Sequence, residues 1–156
     1  MPALTFEAED PEGPRAAPLV AELLADLARR YPVDGVSSHH PRQFDEPAGT
    51  FLVALLDGDP VGIGGIRPLG DGAAELKRMY VAPRARGRGV ARGVLAALED
   101  AARARGYGRV LLETGSNNQE AQALYRSAGY ADVPAFGDYF HHSIYLGRDL
   151  ATDPTR

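Results

Sequence analysis

The stretch Val81-Ala82-Pro83-Arg84-Ala85-Arg86-Gly87-Arg88-Gly89-Val90-Ala91 decides how this chain folds. Before it, Ala73–Val81 is a strand-like run; after Pro83 the pattern changes to the helical period, with Val90, Val94, Leu95, Leu98 and Ala102 on one face and Gly106 at the end. Arg109–Thr114 is a short apolar strand. Strand, helix and strand make a βαβ unit, so the two strands are predicted to be parallel with a right-handed crossover.

The turn itself is built for an anion. The first amides of a helix lack internal partners, and the macrodipole places roughly half a positive charge there. Gly87 and Gly89 let that backbone approach a ligand without an intervening Cβ. Ligands of open α/β sheets also gather at the carboxyl ends of parallel strands, where this turn falls. A nucleoside-triphosphate P-loop is excluded because no Gly-Lys-Ser/Thr triplet is present. A dinucleotide fingerprint is excluded because the last position counted from Gly87 is Arg92, not glycine. Read without a ligand, the glycines make a tight strand-to-helix connection, but the crowding of Arg84, Arg86 and Arg88 favours a bound anion.

Outward from this unit, Leu4–Glu9 alternates as a first strand, and a helix is predicted from about Pro18 to Arg30 on the stripe Leu19, Val20, Leu23, Leu24 and Leu27. Tyr31-Pro32 ends that run, and Val33–Thr50 reads as a loop with room for a short helix. Phe51–Leu56, the turn Asp57-Gly58-Asp59 and Val61–Arg67 form a hairpin. Downstream, Asn117 with Glu120 forms a predicted capping box for a short helix whose inner face is Ala121, Leu124, Tyr125 and Ala128. Tyr130–Val133 and Tyr139–Leu146 are the last predicted strands, and residues 151–156 read as a frayed tail behind a single domain over 1–150.

The bulk numbers fit one globular domain of 156 residues, 44% hydrophobic and 24% charged. There is no cysteine, which excludes a thiol nucleophile, a thiolate zinc site and an iron–sulfur centre, and suits a cytoplasmic setting. The acidic N-terminus is not a secretory signal, and Phe51–Leu56, the longest apolar run, is far short of the roughly 18 residues a bilayer helix needs. A net charge of −4 argues against a nucleic-acid footprint over the whole surface. The local basic cluster Lys77, Arg78, Arg84, Arg86, Arg88 and Arg92 lacks interleaved aromatics and is better matched to the phosphates of a small ligand. The pairs His39-His40 and His141-His142 lack the spacing of a metal site, so no metal is expected.

The segment Arg86-Gly87-Arg88-Gly89-Val90-Ala91 resembles the R-x-x-G-x-G/A motif of the GNAT superfamily of N-acetyltransferases, with its V-x-P lead-in. Asn118-x-x-Ala121-x-x-Leu124-Tyr125-x-x-x-Gly129-Tyr130 resembles the second conserved block of that superfamily, and Ala74–Val81 its central strand. The resemblance implies an α/β fold: a mixed, mostly antiparallel sheet of six or seven strands with a splayed central parallel pair and about four helices. It implies acetyl-CoA as co-substrate, held by the strand residues Met79, Tyr80 and Val81, by Arg86, Gly87, Arg88, Gly89, Val90 and Ala91 of the turn, and by Asn118. From its place near the helix start, Asn118 also reads as a helix-ordering residue.

The same resemblance gives Tyr125 as general acid and Glu75 as general base, six residues before Val81. Periodicity alone reads Tyr125 as a core aromatic, and Glu75 reads equally as the partner of Lys77 or a solvated side chain. Glu113, at the end of the parallel partner strand, is the rival base. Without cysteine, transfer is expected by direct attack in a ternary complex with a primary amine, either a small molecule or a protein. Asp45, Glu46, Glu75 and Asp138 hint at a cationic acceptor, with His141 or His142 as a contact. The competing reading is a non-catalytic acyl-CoA-binding sensor; a homodimer is left open.

Overall fold

A computed structural model describes residues 3–30, 40–137 and 143–150. Seven strands form one sheet: β1 (Leu4–Ala8), β2 (Thr50–Leu56), β3 (Asp59–Gly70), β4 (Ala73–Val81), β5 (Arg109–Gly115), β6 (Ala131–Asp132) and β7 (Ser143–Asp149), in the order β1-β2-β3-β4-β5-β7-β6. Every neighbouring pair is antiparallel except β4 with β5. Three α-helices are present among the described residues: α1 (Ala16–Arg30), α2 (Val90–Ala104) and α3 (Gln119–Ser127). The short helix allowed for in the long loop is the single 3-10 turn Pro41–Phe44. The predicted start of the final strand at Tyr139, together with His39, His141, His142, Asp138 and the tail, lies outside the described residues.

α1 begins at Ala16, before Pro18, because proline in a first helical turn gives up no bonded amide. Its cap comes from the neighbouring strand: Glu9 Oε2 accepts from the amides of Arg15 (2.9 Å) and Ala16 (2.7 Å). α1 buries Leu19 and Leu23 against Phe44, Phe51, Val53, Ile63 and Tyr80, whereas Leu24 of the predicted stripe is exposed. On the opposite face, Val90, Val94, Leu95, Leu98 and Ala102 of α2 pack on Ala54, Ile66, Leu76, Val110 and Leu112. Burying such side chains contributes about 1.5–3 kcal/mol each before entropy is counted. The sheet is therefore the middle layer between α1 on one side and α2 with α3 on the other.

Glu99 of α2 ties this second side together. Its carboxylate accepts from Tyr130 Oη and from Arg148 Nη1, each at 2.9 Å, so α2, the end of α3 and β7 share one buried polar joint. The Tyr130 phenol is pushed up by burial and by the adjacent Glu99 charge. No helix among the described residues is long and apolar enough to cross a membrane.

Candidate active site

β4 and β5 are in register only at Ala73–Arg109, Ala74–Val110 and Glu75–Leu111. Beyond Glu75 the two strands continue to Val81 and Gly115 without pairing, so the centre of the sheet opens into a V. Two features of β4 accompany the opening. Arg78 has a left-handed φ of 59°, and the register with β3 shifts between Gly65–Lys77 and Ile63–Tyr80, so β4 carries an extra residue there. Side-chain parity changes across this bulge. Ala74 and Leu76 before it, and Met79 and Val81 after it, all pack on the α2 side.

At the end of β4, Pro83–Ala85 forms a 3-10 turn, and Gly87 and Gly89 both have φ of 79°. Gly89 caps α2 in the left-handed conformation with no side-chain hydrogen bond to the first amides of the helix. A Cβ added at either glycine would meet nothing within 4 Å, so the surface above both residues is open. Helix-start amides, the positive end of the dipole and no side chain in the way are features that suit an anion.

The arginines divide differently from the expectation. Arg84 donates to the Pro60 carbonyl (2.9 Å) and pairs with Asp59 (3.4 Å), so it anchors the β2–β3 turn. Arg86 Nε donates to the Val81 carbonyl (3.0 Å), and its guanidinium lies 5.6 Å from the Tyr80 ring centroid. Arg92 donates to Ser127 Oγ (2.8 Å) and joins α2 to α3. Arg88 is exposed on the turn. Three of these four arginines thus have structural partners, which the linear crowding concealed.

Among the strand residues named for the coenzyme, Met79 and Val81 face the α2 side. Tyr80 does not: its hydroxyl donates to Glu22 Oε1 of α1 at 3.1 Å, and burial and then Glu22 push the phenol up. Asn118, not Asn117, caps α3; its side-chain oxygen accepts from the Ala121 amide at 3.2 Å. The Asn118 amide donates to the Gly115 carbonyl (3.0 Å), and this tight exit from β5 makes Gln119 the first helical residue, one place later than the capping-box reading.

α3 brings Tyr125 to the opening. The phenol is buried, its hydroxyl lies 3.8 Å from Met79 Sδ, and its ring is 5.8 Å from that of Tyr130. Burial first, and the nearby Glu113 charge second, push it well above the ordinary tyrosine range.

The other face of the V carries charge. Gly65, which pairs with Lys77, is turned toward Phe44 and Phe51, so Lys77 points to the α1 side. Glu75 is 2% exposed; Oε1 accepts from Arg67 Nη1 at 2.6 Å and Oε2 lies 4.0 Å from Lys77 Nζ. The solvated reading of Glu75 is therefore excluded and the charge-pair reading holds. Burial pushes the Lys77 ammonium down to about 8, against the pull of Glu75 and then of Glu113. On β5, Glu113 accepts a hydrogen bond from Ser143 Oγ. Burial raises its carboxyl above the ordinary range, although Ser143 and Lys77 pull the other way. Arg67 and Ser143 carried no local signal: both reach the site only through strand pairing. Of the acids that hinted at a cationic acceptor, Asp45 pairs with Arg42 and Glu46 with Arg105.

Comparison with known proteins agrees with this geometry. Residues 20–130 match the model of the Acetyltransferase (GNAT) family. The chain is 39% identical over 140 residues to IAA acetyltransferase from Azospirillum brasilense, covering 89% of this chain and 92% of that protein. It is 35% identical over 120 residues to N-alpha-acetyltransferase RimI from Mycobacterium tuberculosis, covering 73% of this chain and 74% of that one. Among solved structures, aminoglycoside 6'-N-acetyltransferase complexed with coenzyme A superposes with a TM-score of 0.70 over 96% of this chain and 99% of the other, at 15% identity, a likeness of fold. An opened parallel pair, a glycine cradle at its mouth and these relatives lead to one conclusion: the chain belongs to the GNAT family of acetyltransferases.

Proposed function

We propose that this enzyme moves an acetyl group from acetyl-CoA to a primary amine by direct attack in a ternary complex. The observation that carries the reading is the loss of β4–β5 pairing after Glu75–Leu111, which opens a slot between a glycine cradle and the Tyr125 phenol. Bound there, acetyl-CoA supplies the thioester. The amides of Gly87, Arg88, Gly89, Val90 and Ala91 hold its diphosphate, the backbone of Arg86 closes the cradle, and the β4 edge at Met79, Tyr80 and Val81 lies along its pantetheine arm. Asn118 contributes by setting the start of α3.

Tyr125 Oη is the proton donor to the departing sulfur. Its raised pKa keeps it protonated through the working range, and the burial that disfavours a phenolate disfavours a free thiolate in the same place, so the two remain matched. Removal of the amine proton falls to the carboxylates of the opposite face. Glu75, the expected base, is bound to Arg67 and Lys77; in this reading it sets the charge of Lys77, and the proton passes to Glu113, where β5 no longer pairs with β4. A raised carboxyl pKa suits a general base. In this reading the acceptor is a primary amine of a small molecule or a protein.

The test is calorimetric titration with coenzyme A followed by thiol release over an amine panel. Tight binding with turnover on at least one amine is expected; absence of coenzyme binding sinks the reading.

A further inference from the structure

Tyr80 turns its side chain to the α1 face of the sheet, yet its contacts lead back to the glycine turn. Its ring belongs to the buried cluster of Leu19 and Leu23 of α1 and Ile63 of β3. The hydroxyl donates to Glu22 Oε1 at 3.1 Å, which tethers the phenol at its outer end. The Arg86 guanidinium lies over the same ring, 5.6 Å from its centroid, within the roughly 6 Å over which a cation is drawn to an aromatic face. Burial and then Glu22 push the phenol up while the Arg86 charge pulls it the other way, so the guanidinium is felt at the phenol.

Arg86 is in turn tied to β4, where its Nε donates to the Val81 carbonyl at 3.0 Å. The direction of that carbonyl follows from peptide geometry. The Ala82 amide donates to the Val61 carbonyl of β3 at 2.8 Å, and the peptide joining Val81 to Ala82 is trans, so its C=O and N–H point opposite ways. The Val81 carbonyl therefore points away from β3, toward the side on which β5 has parted from β4. Arg86 thus reaches back from the turn and closes the open edge of β4 at its last residue. A long, exposed arginine loses rotamer freedom when it is held in one place; here a ring face and a carbonyl together select one conformation.

We propose that Tyr80 and Glu22 are positioning residues for the coenzyme turn: the Glu22 carboxylate fixes the phenol, the ring fixes the Arg86 side chain, and Arg86 holds the strand-to-helix connection in the form that receives the diphosphate. This rests on the acetyl-CoA reading. The brace comes from the α1 side, opposite the face on which Met79 and Val81 pack, so Glu22 governs coenzyme affinity from across the sheet.

The test combines calorimetric titration with coenzyme A, steady-state kinetics and thermal melts. Tyr80→Leu removes the ring face; coenzyme affinity should fall about tenfold, with KM for acetyl-CoA raised more than kcat is lowered. Tyr80→Phe keeps the ring and loses only the tether, so most of the affinity should return, to within about threefold of the parent, and Glu22→Ala should match it. Arg86→Met should match Tyr80→Leu, and the double variant should lose no more than either alone, because a single linkage has been cut twice. Losses that add in full overturn the inference, as does a Tyr80→Leu protein that melts earlier but binds coenzyme A like the parent. If Tyr80→Leu does not fold, Tyr80→Phe and Glu22→Ala decide, and unchanged affinity in both overturns it. A parent that binds no coenzyme A defeats the acetyl-CoA reading and this inference with it, whereas a parent and variants that bind alike defeat this inference alone.

Discussion

The Tyr125 hydroxyl sits 3.8 Å from the sulfur of Met79, so the phenol of α3 rests on the first strand residue after the bulge. The contact fixes where this phenol stands relative to the opened strands. It also makes Tyr125→Phe a clean test, because the ring keeps its packing on Met79 and Tyr130 and loses only the hydroxyl. Turnover should fall about tenfold or more while coenzyme A affinity stays within about twofold. Steady-state kinetics with calorimetry check this; an unchanged kcat removes Tyr125 from the acid role.

Gly87 and Gly89 test the cradle. Both have φ of 79°, and an added Cβ would point into open space, so alanine meets no clash in the free protein. The left-handed backbone costs about 1–2 kcal/mol per substituted residue. Coenzyme affinity should drop as well, about tenfold or more for Gly89→Ala, the outcome expected of a methyl group placed in the proposed path of the diphosphate. Loss of stability with unchanged affinity in a titration would place the coenzyme elsewhere.

The two acidic candidates separate by phenotype. Glu113→Gln should lower acceptor turnover on the order of a hundredfold with little change in melting temperature. Because burial raises the Glu113 carboxyl, the reactive carboxylate form is lost as pH falls through that raised value, so the rate of the parent enzyme climbs with pH across it. The Gln variant should lack this limb in its kcat profile. Glu75→Gln leaves Arg67 and Lys77 facing a neutral amide and should destabilise the fold by about 1–3 kcal/mol, moderated by the partial exposure of Arg67. Denaturant melts of both variants, read beside their rates, distinguish a catalytic from a positioning role.

Glu9 carries the start of α1. Burial works to raise its carboxyl, but the hydrogen bonds from the Arg15 side chain and from the Ala16 and Arg15 amides outweigh that, and its pKa in the folded protein lies below the ordinary 4.5. Its stabilisation is complete above the unfolded value and is lost as pH falls through the lower folded one. Glu9→Ala should cost about 1–2 kcal/mol at neutral pH, in the range of a lost helix cap. The gap between parent and variant should shrink as pH falls below the ordinary carboxylate range, as measured by urea unfolding; a gap that holds constant with pH would mean the cap is not ionic.

Much of this molecule could be read along the chain. Periodicity placed α2 and its core stripe, the Asp57-Gly58-Asp59 turn placed the β2–β3 hairpin, and the change from strand to helix at Pro83 placed the parallel pair, because each depends on residues close in sequence. The glycine turn was legible for the same reason: left-handed backbone at Gly87 and Gly89 is a local demand. What only the tertiary structure decided is which charges meet. Arg84, Arg86 and Arg92 form one basic cluster in sequence, yet they bind the Pro60 and Val81 carbonyls and Ser127. Glu75 is bound by Arg67 because an antiparallel register sets them side by side, and Glu113 reaches Ser143 through pairing with β7. The bulge at Arg78, which gives Lys77 and Arg78 the same face, leaves no mark in the residue pattern. Local backbone preference is written residue by residue, whereas electrostatic partnership depends on strand register and burial, which exist only after the sheet has closed.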